Sequence, residues 1–172
     1  MQPDPAAAPL IVSALFAPTD LAWLDGLRRA HFPPERNLLA AHLTLFHALP
    51  PSAEDELKSR LAEASRGPRP DAQASALMNL GRGTAIRILS PDLERIRAEL
   101  ADAFGLLLTP QDRAGWRPHV TVQNKVSPED ARALQRMLGE DFRPRPIVIA
   151  ALAVWRYRGG PWEPVSRHPF RG

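Results

Sequence analysis

Two short segments carry the residue types of acid–base chemistry at matched spacing: His42-Leu43-Thr44-Leu45 and His119-Val120-Thr121-Val122, 77 residues apart. In a β-strand, residues i and i+2 point to the same face. Each segment therefore presents an imidazole beside a hydroxyl, with Leu43 and Leu45, or Val120 and Val122, turned to a core. Breaking a P–O ester bond needs a base for the attacking oxygen and an acid for the leaving one. Imidazole titrates near pH 6.5, so of two histidines one can be neutral while the other is protonated. Each such proton transfer contributes roughly 10²–10⁴ in rate. The hydroxyls of Thr44 and Thr121 can donate to the non-bridging phosphate oxygens, where charge accumulates in the transition state. No metal is needed for any of these steps.

A single His-x-Thr is an ordinary sheet tripeptide, and its histidine is most often just a satisfied one. Two copies in equivalent places of a repeat are not ordinary. Leu10 to Phe16 reads as a strand; Pro18-Thr19-Asp20 opens a helix with Leu21, Leu24 and Leu27 or Arg28 at helical spacing, stopped near Pro33-Pro34. The first His-x-Thr strand follows. Ser52-Ala53-Glu54-Asp55 then starts a helix with serine as cap, and Ala72 to Leu80 is a strand. From Thr84 the order recurs: a strand to Leu89, a helix opened by Ser90-Pro91-Asp92, a loop through Pro110 and Gly115, and the second His-x-Thr strand. A helix capped by Ser127-Pro128-Glu129-Asp130, a strand over 147–157 and a last one over 162–170 complete it. Each half thus reads strand, helix, His-x-Thr strand, helix, strand. The expected fold is α+β: two pseudo-symmetric lobes of antiparallel sheet with outer helices, related by a pseudo-twofold axis, around a central groove onto which both motifs face.

Other residues bear on the site less directly. Phe46 lies two places after Thr44, so a regular strand puts it on the groove face as a base-stacking candidate. His47, at an odd separation from His42, falls on the opposite face by the same rule, which argues against a three-histidine metal site with His119. Trp155 and Tyr157 share a strand face and read as core, with stacking of a base at the groove as the alternative. His31 sits at a helix end where a cation is mildly favoured, and His168 has no evident partner. Gly81-Arg82-Gly83 reads as a hairpin-type connection.

The chain has 172 residues, 44% hydrophobic and 24% charged, enough apolar material for one core. With no cysteine, disulfides, a thiolate nucleophile, iron–sulfur clusters and Cys-based zinc sites are excluded. Net charge is +3, but the stretch from Arg143 onward carries six Arg against one acid, a segment that could steer a phosphate-bearing ligand. Residues 1–9, rich in Pro and Ala, are expected to be a disordered tail ahead of a single bilobal domain over 10–172. The apolar run from Leu10 is too short to span a membrane and has no basic leader, so the expected location is the cytoplasm.

The two tetrapeptides, taken as a pair within a repeat, resemble the signature motifs of the 2H phosphoesterase superfamily, and in particular the bacterial 2′–5′ RNA ligase and 2′,3′-cyclic phosphodiesterase group. The likeness covers roughly residues 10 to 170. It implies the bilobal fold, no cofactor and no catalytic metal, and opening of a 2′,3′-cyclic phosphate or reversible 2′–5′ ligation. It also implies that His42 and His119 are acid and base, in that order for ring opening or the reverse, and that Thr44 and Thr121 bind phosphate. Arg117-Pro118 before the second motif resembles the Arg-Pro-His of bacterial members, making Arg117 a possible substrate contact. The implied partners are RNA ends or small cyclic nucleotides, taken by a monomer without a membrane. The alternatives are a true 2′–5′ RNA ligase and a nucleotide- or RNA-binding module with little turnover.

Overall fold

A computed structural model describes residues 8–172. The unbroken apolar run at the start forms β1 (Leu10–Phe16), a strand buried almost throughout, as a central strand must be. Pro18 then sits at the first position of helix α1 (Pro18–His31), where its missing N–H costs nothing. The buried Asp20 carboxylate of that first turn accepts hydrogen bonds from the backbone N–H of Val148 (2.7 Å) and from Arg145 (3.4 Å). The expected tail falls, over residues 1–7, outside the described residues; the carbonyl of Pro9 accepts a hydrogen bond from the N–H of Tyr157.

The remaining elements follow the repeat. The first half continues with β2 (Leu43–Leu49), α2 (Glu54–Ala64) and β3 (Asp71–Asn79). The second runs β4 (Thr84–Leu89), α3 (Pro91–Phe104), a four-residue helix α4 (Pro110–Arg113), β5 (His119–Gln123), α5 (Pro128–Asp141) and β6 (Arg145–Arg156), with β7 (Glu163–Pro169) last. Ser90 and Ser127 cap α3 and α5 as expected, accepting from Leu93 (3.2 Å) and Asp130 (3.1 Å). Ser52 does not cap α2. Pro51 starts a 3₁₀ turn over Pro51–Ala53, which leaves Ala53 at the cap position. The loop expected through Pro110 contains α4, capped by Thr109.

The seven strands of the described residues all pair antiparallel in one open sheet, ordered β2-β1-β6-β3-β4-β5, with β7 on β6. That order is a palindrome about the β6·β3 pair. β2 answers to β5, β1 to β4, and β6 to β3. The third strand of each half has crossed over to pair with the first strand of the other half: β6 lies on β1, and β3 on β4. Two pseudo-symmetric lobes result, and the outermost strands of the order, β2 and β5, approach each other without forming a ladder. Gly81, at φ +86°, makes the turn between β3 and β4, and at Gly83 any Cβ would overlap the carbonyl oxygen of Gln123. One continuous core includes Leu24, Leu43, Leu45, Phe46, Leu57, Val120, Val122 and Ile149. Each such side chain, fully buried, is worth about 1.5–3 kcal/mol.

Candidate active site

Where β2 and β5 approach, a cleft of about 470 Å³ opens, and His42, Thr44, His119 and Thr121 all line it. The i, i+2 pairing within each motif thus delivers its two side chains to one volume. Each histidine is pinned in the same way. The ring Nδ1 of His42 lies 2.8 Å from the carbonyl oxygen of Ala40, and that of His119 lies 2.6 Å from the carbonyl oxygen of Arg117. A carbonyl can only accept, so Nδ1 carries the proton in both rings. Nε2 is then the nitrogen left for a ligand. The approach to His42 is fixed further by Asp25 of α1, whose carboxylate accepts from the N–H of Ala41 at 2.6 Å.

The threonine backbones are braced from the opposite half. Arg28 of α1 donates through Nη1 to the carbonyl of Thr121 (2.8 Å) and through Nε to Asn37 (3.1 Å). Arg97 of α3 donates to the carbonyls of Leu45 (3.3 Å) and Asp112 (2.6 Å), while Trp116 Nε1–H reaches the carbonyl of Thr44 (3.0 Å). Both arginines are buried, and burial lowers their pKa, opposed by Asp25 for Arg28 and by Asp112 for Arg97. Arginine stays charged regardless. Each motif strand is therefore held by a cation from the other lobe.

His42 sits in a crowded part of the cleft. The indole of Trp162 lies against its ring, centroids 4.5 Å apart and tilted by 58°. Trp155 backs Trp162 at 6.2 Å and donates from Nε1 to Ser13 (2.8 Å). Burial lowers the His42 pKa from 6.5 to about 4; the carbonyl of Ala40 opposes this, and the nearby Arg28, His119 and His47 add to it. His42 is consequently neutral at pH 7, with a lone pair on Nε2.

Past the threonines the strands depart from regularity, and two expectations fail there. Ser13 pairs with Thr44 and Val12 with Phe46, so Leu45 is an extra residue. In β5, Ala85 pairs with Thr121 and Thr84 with Gln123, so Val122 is its counterpart. Each motif thus ends in a β-bulge one residue after its threonine, a device that re-aims side chains beside active sites. The bulge reverses the alternation of β2. Phe46 turns into the core, fully buried under the Arg97 guanidinium at 4.4 Å, and does not reach the cleft. His47, expected on the far face, lines the cleft instead. The argument that parity keeps His47 away from His42 and His119 therefore fails. Among the described residues, no group of three or more His, Cys, Asp or Glu side chains is arranged to hold a metal ion.

Arg117 is exposed on the cleft wall, in addition to supplying the carbonyl that orients His119. Tyr157 lies past the end of β6 and is exposed, and His168 finds a partner in Ser166 at 2.9 Å. Reasoning from the sequence missed Trp162, Asp112, Trp116 and the two bracing arginines. The arginines had a signal: each stands on the apolar stripe of its helix, after Leu24 and Leu93 at four-residue spacing. A long cation there is placed to reach across a core. Asp112 had one too, as the residue three after the helix-capping Thr109. Trp162 follows the Gly159-Gly160-Pro161 turn and had no periodic signal.

A family model described as the 2′–5′ RNA ligase superfamily matches residues 16–161. The chain belongs to this superfamily, the 2H phosphoesterases. Solved structures of similar fold include TT0787 of Thermus thermophilus, at 15% identity and a TM-score of 0.63, covering 95% of this chain and 98% of that one. E. coli LigT in apo form matches at 20% identity and a TM-score of 0.60, over 96% and 98% of the two chains. E. coli LigT complexed with 3′-AMP matches at 16% identity and 0.62, over 96% and 99%. No curated protein matches the chain. This superfamily member has, among its described residues, no helix long and apolar enough to cross a membrane.

Proposed function

We propose that this cleft opens 2′,3′-cyclic phosphates, on RNA ends or nucleotides, to monoesters by two-histidine acid–base catalysis. The observation that carries the reading is the matched pair of Nδ1-pinned imidazoles sharing one cleft with Thr44 and Thr121. His42, neutral at pH 7, takes a proton from the attacking water through Nε2 as the new P–O bond forms. The role of acid then falls to His119, which protonates the ribose oxygen as its bond to phosphorus breaks. The sum is cyclic phosphate plus water to phosphomonoester, and the two protons exchange back through solvent. This reverses the first of the two assignments the resemblance implies, because the lowered pKa of His42 makes it a base at rest. Thr44 and Thr121 donate to the non-bridging oxygens as charge builds there. That E. coli LigT was solved with 3′-AMP supports the reading, since a nucleoside monophosphate is the class of product formed. Attack by a ribose 5′-hydroxyl in place of water would form a 2′–5′ diester in the same geometry, which is how the ligase activity of the superfamily's name fits the site.

The test is hydrolysis of 2′,3′-cyclic AMP in EDTA by wild type, His42→Ala and His119→Ala, with the product identified by ³¹P NMR. Each variant is expected to lose roughly 10²-fold or more. Absence of turnover on this substrate and on short RNAs with cyclic termini would overturn the proposal, as would activity that survives both substitutions.

A further inference from the structure

The cleft extends past the His-x-Thr residues toward α4, and there His47, Gln111, Trp116 and Arg117 line it. The His47 ring is held in a fixed orientation. Its Nδ1 lies 3.1 Å from the carboxylate of Asp112, which also accepts the backbone N–H groups of His47 (2.9 and 3.0 Å) and Ala48 (3.1 Å). Asp112 is 1% exposed, yet its carboxyl pKa is lowered: burial alone would raise it, and the bonds from His47 and Ala48 outweigh burial. The backbone of Asp112 is held in turn: its N–H donates to the Thr109 hydroxyl (3.2 Å) and its carbonyl accepts from Arg97. With Nδ1 engaged by Asp112, Nε2 of His47 is left for the cleft, and the side chain is 46% exposed.

The charge balance of this end is one-sided. Among the described residues, Asp112 supplies the one carboxylate lining it, buried and already holding three N–H groups. Nε2 of His47 and the exposed guanidinium of Arg117, by contrast, have no protein partner among those residues. An anion at Nε2 is held by the imidazolium form of the ring, in which both nitrogens donate, one to that anion and the other to Asp112. Thr44 and His47 are three residues apart on β2 with Leu45 bulged out between them, which leaves about two strand rises, or about 7 Å, along the strand. One nucleotide bridges such a span; a single phosphate does not.

Resting on the proposed phosphoesterase reading, we propose that His47, positioned by Asp112, forms with Arg117 a second phosphate subsite, so that the cleft prefers a cyclic phosphate whose nucleoside also carries a 5′-phosphate. That group is either a monoester or the diester to an upstream nucleotide, and both present anionic non-bridging phosphate oxygens to the same side chains.

Binding is measured first, by calorimetry with 3′-AMP and adenosine 3′,5′-bisphosphate. Wild type is expected to hold the bisphosphate about tenfold tighter, the worth of one charge-assisted hydrogen bond. In His47→Asn the amide still donates to Asp112 but the cleft-facing nitrogen is gone, and the ratio is expected to fall below about twofold. A wild-type ratio below twofold, or an undiminished ratio in a folded His47→Asn, overturns the subsite. Turnover of 2′,3′-cyclic AMP, its 5′-phosphorylated form and the dinucleotide ApA with a cyclic terminus then distinguishes the sources. A gain in kcat/KM with the monoester alone assigns the subsite to 5′-phosphorylated mononucleotides, and a gain with the dinucleotide assigns it to RNA ends. Turnover without either gain overturns the subsite and leaves the activity standing. A wild-type binding preference that His47→Asn erases, with no turnover of any substrate, leaves the subsite and removes the activity.

Discussion

Replacing Trp162 by alanine should raise the pKa of His42, by an amount the structure bounds. The indole lies 4.5 Å from the imidazole and shields one of its faces. The His42 pKa stands at about 4 against an ordinary 6.5, with burial as the leading cause. That gap corresponds to about 3.4 kcal/mol of preference for the neutral ring. Trp162→Ala relieves burial on one side and leaves Arg28, His119 and His47 where they are. About one unit of the gap should therefore close, some 1.4 kcal/mol, bringing His42 to about 5. The assay is an NMR titration of the imidazole Cε1–H resonances, with His42→Ala supplying the assignment and the other histidines serving as internal references. In parallel, the acid limb of kcat/KM against pH, which reports the free enzyme's base, should shift by the same amount. A wild-type His42 that titrates near 6.5 would refute the shielding argument at once. So would a Trp162→Ala variant in which His42 titrates where it does in wild type.

The same lowered pKa gives a stability prediction. His42 is neutral in the folded protein down to about pH 4, while in the unfolded chain it binds a proton from about 6.5. The unfolded state thus holds more protons across that window, and stability falls as pH drops from 6.5 to 4. Because His42 is partly open to the cleft, the loss should be about 1–2 kcal/mol rather than the full linkage value, and His42→Gln should abolish it in urea titrations across that range. Phe46→Ala tests the bulge: a core phenylalanine should cost about 3–5 kcal/mol in chemical denaturation. A cost under about 1 kcal/mol combined with a raised KM would instead put Phe46 in the cleft.

The convergence of His42, Thr44, His119 and Thr121 on one cleft was legible in the sequence because the rule that exposes it is local: alternation over three residues needs nothing but a strand. The order of elements was legible for a similar reason, since prolines, capping serines and apolar spacing act within a turn or two. Alternation failed at Leu45 and Val122, where a bulge depends on how the partner strand is registered, and that cost the placement of Phe46 and His47 together. Ser52 failed as a cap because Pro51 begins the spiral early, a contest between two local signals that composition does not decide. Trp162 reaches His42 only through the pairing of β7 with β6 and of β6 with β1, contacts between residues far apart in the chain. The exchange of β3 and β6 was invisible for the same reason: either strand satisfies the apolar pattern of either half.

That exchange couples the two halves mechanically. Alone, the first half would leave β1 without the strand that completes its sheet, and the second would leave β4 in the same position. The arrangement is that of a swapped dimer whose two copies have been fused end to end through the turn at 80–83. Spreading the cleft as two rigid jaws would mean sliding β3 along β6, breaking the ladder at the centre of the sheet. The distance between the two imidazoles is therefore set by the backbone of the sheet, and a ligand is accommodated by side chains and surface turns moving around a frame that does not open.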